Sequence, residues 1–337
     1  MGRHILVAAA LALVLAPAGT AAKDRSWAQS EIDLVTSRGL LGGNAAKFRP
    51  DDLLSQGDLA DLAAGLTGRE APMLADPSTP ATIAQLDAQL VRALGLADTA
   101  RLFTAGVRAA GLAPPGRFGT EVVARLLGLR KNHDAENDGR EILPDAPATR
   151  AEAAYSAAKI LRFSGWEVEH VRGLGLAFSL PALAGLEQQI LQTAVQFIGY
   201  PYIWGGTSER PQELFGRRVN GGFDCSGFVW RIFKLQQYPG AEALADVIKG
   251  RTTYKMSAEV AKKQRIALAA VQPGDLLFFG PAGKRSKPSQ ITHMGVYLGG
   301  GWFIQASEQG VALSPITGWY EPRFAWARRP LAELPTA

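Results

Sequence analysis

Cys225 is the side chain with the most useful chemistry, and it is the single cysteine among 337 residues. A glycine-containing loop precedes it, and the apolar residues that follow recur at helical spacing. We therefore predict that Cys225 is the first or second residue of a buried helix. Unpaired amides and the helix dipole lower the pKa of a thiol placed there, which favours attack on an acyl carbon. The alternative is a buried cysteine that packs as a small apolar residue.

A β-hairpin is predicted further along the chain. Residues 293–298 and 302–307 read as two strands, and three glycines at 299–301 separate them. We predict a three-residue loop, which pairs Leu298 with Trp302.

That register decides whether two polar side chains meet. It pairs Gly295 with Gln305, so His293 and Gln305 are diagonal neighbours on one face, with Cβ atoms about 7–8 Å apart. A two-residue loop would place them on opposite faces of the sheet.

Three residues then have the chemistry of an acyl-transfer triad. Cys225 is the nucleophile, His293 takes the thiol proton and returns it to the leaving amine, and Gln305 accepts from the far ring nitrogen. A neutral amide orients the ring but stabilises imidazolium less than a carboxylate does. The alternatives are a histidine at a sheet edge and a polar glutamine on a half-exposed face.

The elements around these residues indicate a mixed α+β fold for residues 182–332. Residues 183–197 have helical periodicity, and an aromatic turn at 200–206 leads toward Cys225. Residues 276–279 read as a buried strand. The predicted architecture is an antiparallel sheet packed on the cysteine helix, and Trp204 in the aromatic turn is a predicted wall of the substrate pocket.

Residues 26–165 read as an all-α region with an internal repeat. Pro50 and Pro144, Ser55 and Thr149, and Asp58 and Glu152 share one offset of 94 residues. Ser55 and Thr149 each precede a helix with an acid three positions on, as in a capping box. The stretch beginning at Thr82 is a candidate middle copy. Residues 166–181 are the predicted linker.

The repeat resembles the surface-layer homology (SLH) family. The resemblance lies in Gly39-Leu40, Phe48-Arg49-Pro50-Asp51 and Thr149-Arg150-Ala151-Glu152, whereas Gln56 stands where an arginine is usual. It implies binding of wall polysaccharide. A generic all-helical domain with recurring caps is the alternative.

Composition limits the function classes. The formal charge of +5 and the pI near 9.3 suit an anionic surface such as a bacterial wall and do not indicate nucleic-acid binding. One cysteine excludes an internal disulfide and a multi-cysteine metal site. Residues 132–139 lack calcium-loop spacing and read as a polar turn. We expect no metal and no other cofactor.

An export signal is predicted at residues 1–22. Arg3 and His4 precede an apolar run at 5–16, and small residues end at Ala22. The run is too short for a permanent anchor, and no other stretch is long enough to cross a membrane. The predicted location is secreted, at a bacterial cell wall. An uncleaved N-terminal helix is the alternative.

The C-terminal half resembles the NlpC-type cell-wall peptidases, which are papain-like cysteine peptidases. The shared motifs, in the family's order, are Pro201-Tyr202-x-Trp204-Gly205-Gly206, Asp224-Cys225-Ser226-Gly227-Phe228, Arg251-Thr252, Pro273-Gly274-Asp275-Leu276, His293 to Gly299, Phe303-Ile304-Gln305-Ala306 and Ala327-Arg328-Arg329. The resemblance implies hydrolysis of peptidoglycan stem peptides, often between D-Glu and a diamino acid.

The same resemblance implies residue roles. Cys225, His293 and Gln305 take the catalytic positions, although the third is most often histidine in the family. Tyr202 is expected beside the thiolate, and Asp224 and Ser226 are expected to line the pocket for the stem peptide's N-terminal amine. The alternative for Asp224 is a helix N-cap. Alternative functions are a catalytically inactive wall-binding protein, or an amidase or acyltransferase of the same fold.

Overall fold

A computed structural model describes residues 25–335. The predicted export signal at 1–22 therefore lies outside the described residues. The N-terminal part is all-α, as predicted. Its helices are α1 (Gln29–Ser37), α2 (Gln56–Thr67), α3 (Ile83–Ala93), α4 (Ala97–Ala109), α5 (Phe118–Leu126), α6 (Arg150–Leu161) and α7 (Trp166–Ala177), with short 3-10 turns at Ala45–Lys47 and Ala135–Arg140.

The starts of α2, α3 and α6 meet in a cyclic arrangement. Ser55, Thr82 and Thr149 are the N-caps of these helices, and each hydroxyl accepts the backbone N–H three residues on. Short antiparallel bridges join the three starts pairwise: Leu53 with Thr149, Ser55 with Pro80, and Thr82 with Pro147. The three caps are thus equivalent positions of one repeat, and the stretch at Thr82 is its middle copy.

Arg150 locks the third copy of the repeat onto the first. Its guanidinium donates to the Asp58 carboxylate at 2.7 Å and to the carbonyl oxygens of Phe48 and Leu41 at 3.0 and 2.9 Å. These contacts join residues about a hundred positions apart in the chain. The two similar segments identified in the sequence therefore pack directly against each other.

Most of the predicted linker is helical. Residues 166–177 form α7, which packs on α4. The ring of Phe178, just after α7, contacts Phe103 of α4 and Trp302, with centroids 5.0 and 5.2 Å apart. This segment therefore joins the N-terminal helices to the C-terminal part through apolar contacts.

The C-terminal part combines helices with antiparallel strands. The helices are α8 (Gly185–Gln196), α9 (Cys225–Trp230), α10 (Leu244–Val247) and α11 (Thr253–Ala258), and α9 continues as a π-helical turn at Arg231–Leu235. The strands are β1 (Thr207–Ser208), β2 (Gln212–Leu214), β3 (Arg217–Val219), β4 (Gly222–Phe223), β5 (Leu276–Phe279), β6 (His293–Gly299), β7 (Trp302–Ser307), β8 (Gly310–Pro315) and β9 (Phe324–Arg328).

One five-stranded antiparallel sheet, in the order β8-β7-β6-β5-β9, supports the cysteine helix. α9 packs on β6 and β7 and buries Phe228 and Val229. Burial of such side chains contributes about 1.5–3 kcal/mol each. Met294 belongs to the same core as α9, whereas Phe279 and Phe303 form a second, smaller core. The predicted α+β architecture is confirmed.

The β6–β7 hairpin reaches the predicted pairing by a different turn. Gly295 pairs with Gln305, as predicted, but Gly299 rather than Leu298 pairs with Trp302. The Leu298–Trp302 pairing was therefore wrong. The loop has only two residues, Gly300 and Gly301, and both have positive φ, 58° and 82°. Leu298 is a bulge without a partner on β7, and this extra residue compensates for the shorter loop. The bulge keeps His293 and Gln305 on one face.

The two halves of the chain share one apolar core, which runs from α1 to the five-stranded sheet. A buried guanidinium reinforces the junction: Arg125 of α5 donates to the carbonyl oxygens of Gly199 and Gln309 at 2.5 and 2.7 Å. Among residues 25–335, no helix combines the length and apolarity needed to span a bilayer.

Candidate active site

Cys225 is the first residue of α9, and Asp224 is its N-cap. The Asp224 carboxylate accepts the Gly227 N–H at 2.5 Å, so the N-cap alternative for this residue holds. A Cβ at position 227 would collide with the carbonyl oxygen of Gly206. The glycine therefore lets the helix start pack against the aromatic turn, which leaves Cys225 9% exposed.

The Cys225 thiol is held neutral by its surroundings. Burial raises its pKa to about 12, and the nearby Asp224 carboxylate adds to the rise. The backbone N–H groups of Ser226 and Met294 and the Arg251 guanidinium act in the opposite direction. The predicted lowering of the pKa was wrong, because burial and the Asp224 carboxylate outweigh the groups at the helix start that favour the thiolate.

His293 begins β6, the strand on which the cysteine helix α9 packs. The backbone N–H of Met294, the next residue, is close enough to Cys225 to act on the pKa of its thiol. The imidazole lies among aromatic rings, with Phe279 and Tyr320 centroids 5.9 and 6.1 Å away. Burial lowers the pKa of His293 to about 4, and the Gln305 side chain opposes this shift. The imidazole is therefore neutral at pH 7.

Gln305 is fully buried on β7, on the same face as His293. Its Nε2 donates to Oγ of Ser314 at 3.2 Å. Among the described residues, His293 Nε2 and Gln305 Oε1 are both buried without a hydrogen-bond partner. The two groups are close enough for Gln305 to raise the pKa of His293, yet they are not in hydrogen-bond geometry.

Asp224, Ser226 and Arg251 form a closed polar network around the start of α9. Ser226 Oγ donates to Asp224 at 2.8 Å and accepts from Arg251 at 2.7 Å. Arg251 also forms an ion pair with Asp224 at 3.2 Å and donates to the Gly205 carbonyl oxygen at 3.0 Å. Sequence reasoning had not assigned Arg251 to the site, although its Arg251-Thr252 motif was part of the family resemblance.

The aromatic turn is held from the N-terminal half of the chain. Asn132 Oδ1 accepts the Tyr202 N–H at 2.7 Å, and Asp138 Oδ2 accepts the Trp204 N–H at 3.0 Å. The segment read as a polar turn therefore positions two predicted substrate residues. Burial raises the pKa of Tyr202, and the negative charge of Asp224 raises it further, so the phenol stays protonated.

Family models match both halves of the chain. Residues 199–329 match the NlpC/P60 family, and residues 21–60 match the S-layer homology domain. The resemblance to the NlpC-type peptidases is confirmed, and the surface-layer homology resemblance is confirmed over residues 21–60.

Similar proteins match mainly over the C-terminal half. Gamma-D-glutamyl-L-lysine dipeptidyl-peptidase of Bacillus subtilis is 32% identical over 133 residues, which are 40% of this chain and 36% of that protein. The probable peptidoglycan endopeptidase LytE of Bacillus subtilis is 32% identical over 142 residues, which are 42% of this chain and 34% of that protein. The chain thus spans about a third of each relative.

A solved structure of an NlpC/P60 family protein from Bacillus cereus is 26% identical, with a TM-score of 0.33. The match covers 46% of this chain and 43% of that one.

Proposed function

We propose, from the NlpC/P60 domain at residues 199–329 and the S-layer homology domain at 21–60, that this protein is an extracytoplasmic cysteine peptidase of the bacterial cell wall. It hydrolyses peptidoglycan stem peptides, at the bond between D-Glu and the diamino acid. The observation that carries this proposal is the position of Cys225 as the first residue of α9, which packs on β6, the strand that His293 begins. The printed name of a relative, a gamma-D-glutamyl-L-lysine dipeptidyl-peptidase, supports the choice of bond.

The reaction starts from a neutral thiol and a neutral imidazole. With pKa values near 12 and 4, neither Cys225 nor His293 carries charge at pH 7. His293 removes the thiol proton as sulfur attacks the carbonyl carbon. Collapse of the tetrahedral intermediate breaks the C–N bond, and the leaving amine takes the proton from His293. Water then attacks the thioester with His293 again as base, which releases the carboxylic acid and restores the thiol.

Backbone and phenol donors are available for the negative charge that develops on oxygen. The first N–H groups of a helix have no partner within the helix, and that of Cys225 is adjacent to the reacting sulfur. Tyr202 remains a protonated donor close to Cys225. We assign the Cys225 amide to the oxyanion and Tyr202 to the edge of the same pocket, with Trp204, Asp224 and Ser226 as further lining residues.

Gln305 completes the catalytic set as the residue that orients His293. Its Nε2 is committed to Ser314, which leaves Oε1 to accept the Nε2–H of the imidazole. Small side-chain movements bring these two buried, unpartnered groups into hydrogen-bond geometry. This bond selects the tautomer whose Nδ1 lone pair is free to accept the thiol proton.

The N-terminal helical region is proposed to hold the enzyme at its substrate. The match to the S-layer homology domain supports cell-wall binding by this region. Export by the predicted signal at 1–22 agrees with this location. Binding to wall polysaccharide is testable by sedimentation with purified wall material, using the Cys225→Ala variant to prevent digestion.

The test of the enzymatic proposal is digestion of purified peptidoglycan followed by mass spectrometry of the soluble products. We expect fragments cut between D-Glu and the diamino acid with the native protein and none with Cys225→Ala. Fragments cut between the glycan and the first amino acid would instead identify an amidase. No soluble product from either protein, with wall binding intact, would identify an inactive wall-binding protein.

A further inference from the structure

A small cavity lies beside the aromatic turn, between the two halves of the chain. Its volume is about 160 Å³. Its walls are residues 135–139 from the N-terminal half, Trp204, and the β2–β3 hairpin from Leu214 to Val219. The size suits one ring of a small molecule rather than an extended chain, since pockets for drug-sized ligands begin at about 300 Å³.

Two aromatic side chains that line the cavity are exposed and do not pack in a hydrophobic core. Trp204 is 57% exposed and Phe215 is 73% exposed. Phe215 also has a positive φ of 51°, which costs free energy for a bulky residue at the tip of a hairpin. Neither burial nor backbone preference accounts for a phenylalanine there, whereas stacking on a ligand ring does.

The polar groups of the cavity suit a neutral ligand that donates hydrogen bonds. Asp138 is 6% exposed, and its Oδ1 is buried with no hydrogen-bond partner among the described residues. Its other oxygen, Oδ2, already accepts the Trp204 N–H. Glu136, Arg217 and Arg218 balance the remaining charge. A ring with an apolar face for the aromatic side chains and a hydroxyl for Asp138 matches this lining, and sugars have both.

The polar network at Asp224 indicates which end of the stem peptide faces the cavity and in what chemical form. The proposed function places Asp224 and Ser226 in the substrate pocket, and we take the peptide's N-terminal end to lie there, as the family resemblance implies. The Asp224 carboxylate already accepts five hydrogen bonds, from Ser226, Gly227, Gly205 and twice from Arg251. A carboxylate offers about four lone-pair sites, and Arg251 neutralises its charge.

Asp224 is therefore poorly suited to the free ammonium that the family resemblance implied, because Arg251 already neutralises its charge, whereas an acylated N-terminus carries no charge to balance. Gly205, which donates to Asp224, lies against the ring of Phe215. The cavity thus continues from the N-terminal end of the bound peptide. In an intact wall, that end is amide-linked to the lactyl group of an amino sugar.

We infer that the cavity between residues 135–139, Trp204 and the β2–β3 hairpin binds the sugar ring that carries the stem peptide. The enzyme therefore favours peptides still attached to the glycan over free peptides. This inference rests on the proposed function for the direction of the peptide, and it adds a sugar subsite built jointly by the two halves of the chain.

A kinetic comparison tests the preference. The substrates are the tripeptide L-Ala-D-Glu-diamino acid extended by D-Ala, free and attached to the wall disaccharide. We expect the Phe215→Ala variant to lose about tenfold in kcat/KM on the attached peptide and to change little on the free one. Trp166→Ala, an exposed tryptophan outside the cavity, is the matched control. Equal losses on both substrates, or no preference in the native protein, would overturn the inference.

A binding measurement separates this inference from the proposed reaction. The Cys225→Ala protein is titrated with the wall disaccharide alone, its lactyl group amidated, and followed by NMR at the Trp204 indole. Saturable shifts that Phe215→Ala abolishes and Trp166→Ala retains support the subsite even if no substrate is ever cleaved. Hydrolysis of free peptide without any disaccharide binding leaves the proposed function standing and removes the subsite.

Discussion

Two buried polar groupings, one in each half of the chain, use burial in opposite ways. The first, here called the buried ion cluster, lies among α3, α5 and α6 and consists of Asp87, Glu121, Arg125, Arg130, His133, Glu141 and Glu152. The second is the site formed by Cys225, His293 and Gln305. Both are largely shielded from water, although His293 is only partly buried, yet the cluster contains opposite charges and the site contains none at pH 7.

The difference lies in the partners. Arg130 faces Glu152 at 3.2 Å and Asp87 at 3.8 Å, so its charge is retained in spite of burial. Among residues 25–335, no carboxylate forms a salt bridge with His293, whose polar neighbour is the neutral Gln305. A buried charge with a partner is fixed in place, whereas a buried pair without formal charge can exchange a proton. Loss of hydration thus accompanies fixed ion pairs in the buried ion cluster and, in the proposed active site, neutral groups that can transfer a proton.

The largest expected effect is on activity, from removing the base of the uncharged site. His293→Ala should lower kcat/KM about 10²- to 10⁴-fold at pH 7, because nothing else takes the proton of a thiol with a pKa near 12. The residual rate should rise steadily with pH, since thiolate forms only under alkaline conditions. Steady-state kinetics from pH 6 to 10 measures both. A residual rate that is independent of pH would show that the thiol ionises without His293.

The second prediction breaks the charged grouping instead. Arg130→Met leaves Glu152 and Asp87 buried without their cation and should cost about 3–5 kcal/mol of unfolding free energy. Arg101→Met is the matched control, because Arg101 pairs with Asp98 at the surface and should change stability by less than about 1 kcal/mol. Urea denaturation gives both values. Equal effects would mean that the cluster is not energetically distinct from a surface pair.

The third prediction concerns the pH dependence of stability. Burial raises the pKa of Glu141 to about 8, above its ordinary value of 4.5. The unfolded chain therefore loses this proton first, and stability falls as pH rises from about 4.5 to 8, by a few kcal/mol at most.

Glu141→Gln, which keeps an acceptor for the His133 N–H, should be the more stable protein at pH 8 and nearly equal at pH 4.5. Thermal unfolding across this range decides the matter. A native protein whose stability rises with pH relative to the variant would contradict the buried, neutral carboxyl.

The smallest effect comes from giving the uncharged site a charge. Gln305→Glu places a carboxylate against His293 and should raise the pKa of the imidazole by about one to two units. Activity requires neutral imidazole, so the pH below which kcat/KM falls should shift from near pH 4 to a higher value. Gln305→Met has a similar volume but no acceptor oxygen. It should lower the rate without shifting the acid side of the pH profile to higher pH. If the acid side of the pH profile of the Gln305→Glu variant is unchanged, residue 305 does not interact with the His293 imidazole.

Local patterns predicted the parts of this protein that depend on neighbours in the chain. The start of α9 at Cys225 followed from loop composition and helical spacing, and the caps at Ser55 and Thr149 followed from their acids three positions on. The pairing of Gly295 with Gln305 was also correct. Its turn was not, because strand alternation does not reveal a bulge such as the one at Leu298.

Groups that act across long separations escaped prediction. Asn132 and Asp138 hold the aromatic turn from 70 and 66 residues away, and their segment has no motif of its own. Arg251 is 27 residues from the Asp224 that it neutralises. The signal for Arg251 was present in the resemblance, whereas nothing local pointed to the other two.

By itself, the sequence determined which residues are candidates for the chemistry, where α2, α6 and α9 begin, and that capped helix starts recur in the helical half. These features depend on residue type and on periods of a few residues. The tertiary structure alone decided the protonation states of Cys225 and His293, since loss of hydration depends on everything packed around a group. It also decided that the helical half supports the site, because contacts between distant segments are set by the packing of the whole core.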